Sequence, residues 1–104
     1  MKWFDKQAIL AAIDADEALD TIAQAFRDHS AGKVQSLAVG HLRFDRPPGD
    51  VHVKGAHIGG RELFAIKVAS SFYENPDRGL PSSNGLMLVF DALTRAPMGM
   101  LSDD

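Results

Sequence analysis

Lys67 stands inside an otherwise apolar run, Leu63-Phe64-Ala65-Ile66-Lys67-Val68-Ala69-Ser70-Ser71-Phe72. On a strand, alternate residues face the same way, so Ala65, Lys67, Ala69 and Ser71 share one face. Phe64, Ile66 and Val68 share the other, with Phe72 following. Small side chains around one long cation leave room for a ligand, and an ammonium in a partly dry pocket attracts a carboxylate. The competing reading is a lysine that buries its stem and keeps its charge in water. His41, Arg43 and Arg46 lie on the strand before Pro47-Pro48, and His41 and Arg43 share a face. His52, Lys54 and His57 raise the question of a metal. His52 and His57 are five apart on an extended strand and so point to opposite faces, where they cannot hold one ion; no metal site is expected. Lys54 shares the face of His52 and reads as mostly solvent-facing. Gly55, Gly59 and Gly60 precede a strand rather than a helix, which reads as turn glycines and not as a dinucleotide-binding motif. Ser82 follows Leu80-Pro81 and can bond its own backbone in a loop. Asp103 and Asp104 read as a solvated chain end.

The elements that must position these groups follow from periodicity. Lys2-Trp3-Phe4 is consistent with a short strand. Asp5 can N-cap a helix carrying Ile9, Leu10 and Ile13, and Asp14, with Glu17 three residues on, can cap a second. That second helix sets Leu19, Ile22, Ala23 and Phe26 in an amphipathic stripe and ends near Ala31-Gly32, with Gly32 as the left-handed cap. From Val34 onward the period changes to two, predicting strands at about 35–45, 50–58, 62–72, 85–91 and 97–101. Pro47-Pro48-Gly49-Asp50 and Gly59-Gly60-Arg61 supply turns between the first three. Asn75-Pro76-Asp77-Arg78-Gly79 reads as a type I turn with Gly79 absorbing positive φ. Thr94-Arg95 turns between the last two strands. Two helices on a largely antiparallel sheet make the fold class α+β.

Composition narrows the partners. A chain of 104 residues with 45% hydrophobic content suits one globular domain, residues 1–104. No apolar run approaches the roughly 18 residues of a membrane span. Met1 to Asp5 is followed by Asp14, Asp16 and Glu17, which leaves no apolar signal segment. There is no cysteine, so neither disulfide nor thiol chemistry is available. The net charge of −3, with Lys and Arg dispersed, argues against nucleic acid as a partner. A cytoplasmic location is the expectation.

The string Phe64–Ala92, FAIKVASSFYENPDRGLPSSNGLMLVFDA, resembles the N-terminal half of the ornithine cyclodeaminase/mu-crystallin family of NAD(P)-linked amino-acid enzymes. The likeness runs from the helices to Pro97. It implies an α+β substrate-binding and dimerisation region, followed in the family by a Rossmann domain that holds NAD(P) and lies outside this chain. It implies that Lys67, ahead of the N-P-D-R-G-L-P run, binds the substrate carboxylate and belongs to the catalytic site. The family's second basic carboxylate ligand falls at His41, with Arg43 as the substitute. The resemblance also implies that Ser82 stands where relatives contact the nicotinamide side of the cofactor. Arg95 departs from the glycine usual in that turn, and Lys54 from the usual apolar residue. The family's arginine beyond the last strand, its acidic proton-transfer residue and its dinucleotide motif have no counterpart in the sequence. The expected function is the substrate-binding part of an NAD(P)-dependent amino-acid dehydrogenase, cyclodeaminase or imine reductase, acting on a small amino acid or imine as a homodimer. The chain alone is expected to bind no NAD(P) and to be inactive. A non-catalytic binding or dimerisation module derived from the family is the alternative.

Overall fold

Asp5 accepts a hydrogen bond from the Ala8 N–H at 2.8 Å and opens helix α1, Lys6–Ala12. Asp14 accepts from Asp16 and Glu17 at 2.9 and 3.3 Å and opens helix α2, Ala15–Ser30. Both carboxylates satisfy N–H groups that a helix start leaves without partners. Asp16 and Glu17 in the first turn of α2, and Arg27 and His29 in the last, complement the helix dipole. The helix closes on Gly32 at φ 76°, with Gly32 N–H donating to His29 O and Lys33 N–H to Asp28 O, a Schellman arrangement.

These elements belong to a computed structural model that describes residues 1–103; the expectation for Asp104 lies outside the described residues. The strands are β1 (Lys2–Phe4), β2 (Val34–Ser36), β3 (Gly40–Asp45), β4 (Pro48–Ile58), β5 (Leu63–Phe72), β6 (Ser83–Asp91) and β7 (Pro97–Ser102). They form one sheet in the order β1-β7-β6-β5-β4-β2, with β3 also on β4. Only β1 with β7 is a parallel pair among the described residues. The fold is α+β, two helices on a mostly antiparallel sheet.

The structure corrects the expected boundaries in three places. The single strand expected over 35–45 is two strands, both against β4: β2 pairs with Ala56–Ile58 and β3 with Pro48–Val53. The turn expected over Pro47–Asp50 contracts to Arg46 and Pro47, joined by a cis peptide, and Pro48 already opens β4 opposite Asp45. Proline, which lacks an N–H, is tolerated at such a first strand position. The next residue must be Gly49, because a Cβ there would stand 2.2 Å from the Ser71 carbonyl oxygen. Asn75–Arg78 forms one 3₁₀ turn, closed by Gly79 at φ 72°.

Register divides the sheet into two unlike faces. Lys67 lies opposite Lys54 and Met87, so its face carries Ala65, Ala69, Val89, Leu101, Ala56 and His52. Helix α1 lies over this face beside Val89 and Leu101, and α2 beside Ala56 and Ile58. Asp28 of α2, 6% exposed, holds the helix to the β4–β5 hairpin through Arg61 at 3.8 Å and also accepts from Gln24 at 2.9 Å. The other face presents Phe64, Ile66, Val68, Leu86, Leu88, Phe90, Val51 and Val53 across three strands. No element among the described residues crosses it. Consequently no apolar side chain among the described residues is fully buried. The amphipathic stripe of α2 is open, with Leu19 at 68% and Phe26 at 72% exposure. No helix of the described residues is long and apolar enough to cross a membrane.

Candidate functional site

The alternation of β5 delivers Lys67 to the helix-bearing face at mid-sheet, between Ala65 and Ala69 on its own strand. Its ammonium is 3.6 Å from the Asp103 carboxylate, and both side chains are about two-fifths exposed. Asp103, expected as a solvated end, is positioned by its own N–H, which donates to Gly85 O at 3.1 Å. Lys54, directly opposite Lys67, is exposed as expected. Lys67 therefore sits where a carboxylate can reach it, with alanines leaving room above the sheet and one carboxylate already beside it.

His41 and Arg43 are on the same face, reached through β4. His41 pairs with His52, which pairs with Ala69; Arg43 pairs with Asp50, which pairs with Ser71. At the usual strand spacings His41 lies roughly 12 Å from Lys67 between Cα atoms, and Arg43 roughly 16 Å. His41 is the nearer of the two. The structure adds a grouping that periodicity did not assemble. His41 Nε2 is 3.5 Å from one Asp50 carboxylate oxygen, and His52 Nδ1 is 3.9 Å from the other. The two imidazoles stack at 4.4 Å with planes 5° apart. Asp50 begins the strand expected over 50–58, and only the pairing of β3 with β4 brings His41 beside it and His52. The signal that could have found it was the spacing Asp50-x-His52 on one strand face.

His57 points to the opposite face from His52, as its spacing requires; its Nε2 lies 3.0 Å from the Arg61 carbonyl oxygen and its ring meets Phe64 edge-on. Ser82 follows the 3₁₀ turn and precedes β6. Its carbonyl accepts from Phe72 N–H at 2.8 Å, while its exposed hydroxyl makes no hydrogen bond to its own backbone among the described residues. Register puts Ser82 roughly 17 Å from Lys67 between Cα atoms, so the two do not share one contact point. In the β6–β7 turn, Asp91 accepts from Leu93 and Thr94 N–H at 2.7 and 2.9 Å. Those backbone bonds, from Thr94 first and then Leu93, hold its carboxyl below the ordinary carboxylate value. Arg95 stands at φ 66°, and its guanidinium donates to the carbonyls of Ala92 and Leu93.

The sequence profile of the ornithine cyclodeaminase/mu-crystallin family matches residues 4–103. The chain belongs to this family. A cyclodeaminase of Sinorhizobium fredii, itself uncharacterised, is 34% identical over 101 residues, covering 95% of this chain and 29% of that protein. Among solved structures, an archaeal alanine dehydrogenase dimer with bound NAD superposes with a TM-score of 0.87 at 28% identity, over 96% of this chain and 30% of its own. The Thermococcus litoralis Δ1-pyrroline-2-carboxylate reductase, in complex with NADH and L-proline, shares the fold with a TM-score of 0.90 at 24% identity, over 98% of this chain and 32% of its own. The chain thus spans about 30% of the length of each of these.

Two of the three relatives hold a nicotinamide dinucleotide, a group with its own structural demands. Gly59 and Gly60 lie in the β4–β5 hairpin, and Gly55 lies inside β4 rather than in a turn. Neither helix follows a glycine-rich strand exit: α1 starts after Asp5, and α2 after Asp14. A pyrophosphate cradle requires a strand, a glycine loop and a helix N-terminus in succession. The described residues contain no such unit and do not fit the dinucleotide.

Proposed function

We propose that this chain is the substrate-binding and dimerisation part, residues 1–104, of an NAD(P)-dependent amino-acid dehydrogenase, cyclodeaminase or imine reductase, and that it acts in the cytoplasm. Lys67 is its carboxylate anchor. The observation that carries the reading is the setting of that lysine: mid-sheet, flanked by alanines, with the Asp103 carboxylate 3.6 Å from its ammonium. A nicotinamide supplies hydride exchange at the substrate's Cα in such enzymes. The share of this chain is to hold the carboxylate so that the Cα presents one face. His41, or Arg43 beyond it, assists at the far side of the substrate, and Ser82 serves the cofactor side at the end of β6. The carbon chemistry is then decided by groups other than these.

Titration of the chain with ornithine, proline and alanine, followed by amide NMR shifts, tests the reading. Shifts centred on β5 that vanish in Lys67→Met, with the rest of the spectrum unchanged, support it. Equal shifts in the mutant make Lys67 a surface lysine and sink it. A binding or dimerisation module without turnover is the second reading. Coding sequence that continues past Asp104 into a glycine-rich βαβ unit favours the enzyme; a natural stop favours the module.

A further inference from the structure

We propose that His41, Asp50 and His52 form a binding site for a divalent transition-metal ion of the zinc, cobalt or nickel type. The site is a product of register. Pairing of β3 with β4 sets His41 directly opposite His52, and Asp50 precedes His52 by two residues on the same face of β4. One ligand atom from each residue lies within 4.8 Å of the other two. A tetrahedral zinc ion with bonds of about 2.0–2.2 Å needs ligand atoms separated by about 3.3–3.6 Å. His41 Nε2 is 3.5 Å from one Asp50 oxygen and His52 Nδ1 is 3.9 Å from the other, so an ion is bound once the two imidazoles, now stacked 4.4 Å apart with planes 5° apart, turn about their side-chain bonds until both ring nitrogens point at it. Two imidazoles with one carboxylate select zinc, cobalt, nickel or copper over the hard cations magnesium and calcium. All three ligands stand on adjacent strands of a regular ladder, which fixes them better than a loop would.

The charges nearby are compatible with a cation. Arg43 is directly opposite Asp50, yet Asp50 turns its carboxylate to the two imidazoles, and Arg43 makes no ion pair among the described residues. Lys67 lies two residues along the face, with its ammonium beside Asp103, and Lys54 is exposed and free to swing outward. The three residues are between one-quarter and one-half exposed, so an ion can enter from solvent and keep an open coordination position. With one carboxylate and two neutral imidazoles the loaded site carries a net positive charge. His41 then serves the ion, and of the two assisting residues proposed above the role beside Lys67 passes to Arg43.

The test uses the 104-residue chain with metal alone, at about pH 7.5. Calorimetry with Zn²⁺ is expected to give one ion per chain with a dissociation constant below about 10 μM, and Co²⁺ is expected to give visible d–d absorption. Loss of an outer partner of a metal ligand costs 10–100-fold in affinity, so His41→Ala and His52→Ala, which remove ligands, should each weaken binding at least about 100-fold. His57→Ala, on the other face, and Lys67→Met should leave it unchanged. In the unaltered chain, Co²⁺ should broaden the His41 and His52 resonances first, a readout that needs no variant. Binding weaker than about 10 μM, binding that survives either ligand substitution, or equal loss in His57→Ala would overturn the proposal. The Lys67→Met arm keeps this outcome separate from the fate of the carboxylate anchor.

Discussion

An ammonium that meets a carboxylate in water gains little, because both ions give up hydration to do so. The Lys67–Asp103 pair, 3.6 Å apart with both side chains about two-fifths exposed, falls in the range of about 0–1 kcal/mol measured for exposed ion pairs. Asp103 is therefore a weak competitor for Lys67. A free carboxylate on Lys67 contributes about 1.5–3 kcal/mol as a charge-assisted hydrogen bond, whereas millimolar binding needs about 4 kcal/mol. The chain alone should bind amino acids at millimolar concentration at best. Asp103→Asn removes the competitor and should tighten that binding by up to about fivefold, the factor that corresponds to 1 kcal/mol. Lys67→Met should abolish it. If Asp103→Asn instead weakens binding, Asp103 contributes to the site, and its place beside Lys67 has a different meaning.

At the scale of the element, the β6–β7 turn combines a favourable group with an unfavourable one. Arg95 is left-handed at φ 66°, which costs a residue with a Cβ about 1–2 kcal/mol. Arg95→Gly relieves that cost, loses two exposed guanidinium bonds and adds about 0.4–1 kcal/mol of unfolded-chain entropy. A net gain of up to about 1 kcal/mol, a rise of a few degrees in the melting temperature, is expected by calorimetry; a fall would mean that the guanidinium bonds outweigh the strain. Asp91 in the same turn has its carboxyl held below the ordinary value by the N–H groups of Thr94 and Leu93. Its folded pKa is thus lower than its unfolded one, near 3.9. The stabilisation is complete above the unfolded value and is lost as pH falls through the folded value. Melting temperature should drop on acidification below about pH 4, and Asp91→Asn should flatten that part of the curve.

This turn also shows what local sequence can reveal. Its position and the departure at Arg95 were legible, as were the caps at Asp5, Asp14 and Gly32, because each is decided by neighbours within four residues. The face shared by Lys67, Ala65 and Ala69 was legible from period two alone. Which strands lie beside β4 was not. The break of 34–45 into β2 and β3 depends on Leu37 N–H reaching Gly55 O, a non-local bond that period two does not encode. For the same reason His41, Asp50 and His52 could not be grouped from spacing, since alternation assigns a face but pairing assigns a neighbour. The amphipathic stripe of α2 was legible from its spacing, whereas its exposure depends on what packs against it.

For the whole molecule, the surface decides. The chain exposes 7,824 Å², whereas a folded monomer of 11.3 kDa exposes roughly 5,700 Å², an excess of about 2,000 Å². Its radius of gyration is 15.7 Å, against roughly 13 Å for a compact chain of this length. One apolar part of this surface is the face bearing Phe64, Ile66, Leu88 and Phe90, half-buried and opposite the helices, where Phe64 and Phe90 stack at 5.0 Å and no element among the described residues crosses them. Interfaces of obligate dimers bury 2,000–5,000 Å² in total and are the more apolar class, and a twofold pairing of these faces would be of that kind. Light scattering at tens of micromolar should therefore report a homodimer, and a monomer would count against the proposal. Ile66→Lys is the sharper test. It puts an unpaired ammonium into the interface at about 3 kcal/mol, and twofold symmetry counts it twice, which weakens association about 10⁴-fold. Lys67→Met, one residue along but on the other face, should leave the dimer intact. If both substitutions dissociate it equally, or neither does, the contact between copies does not run through this face.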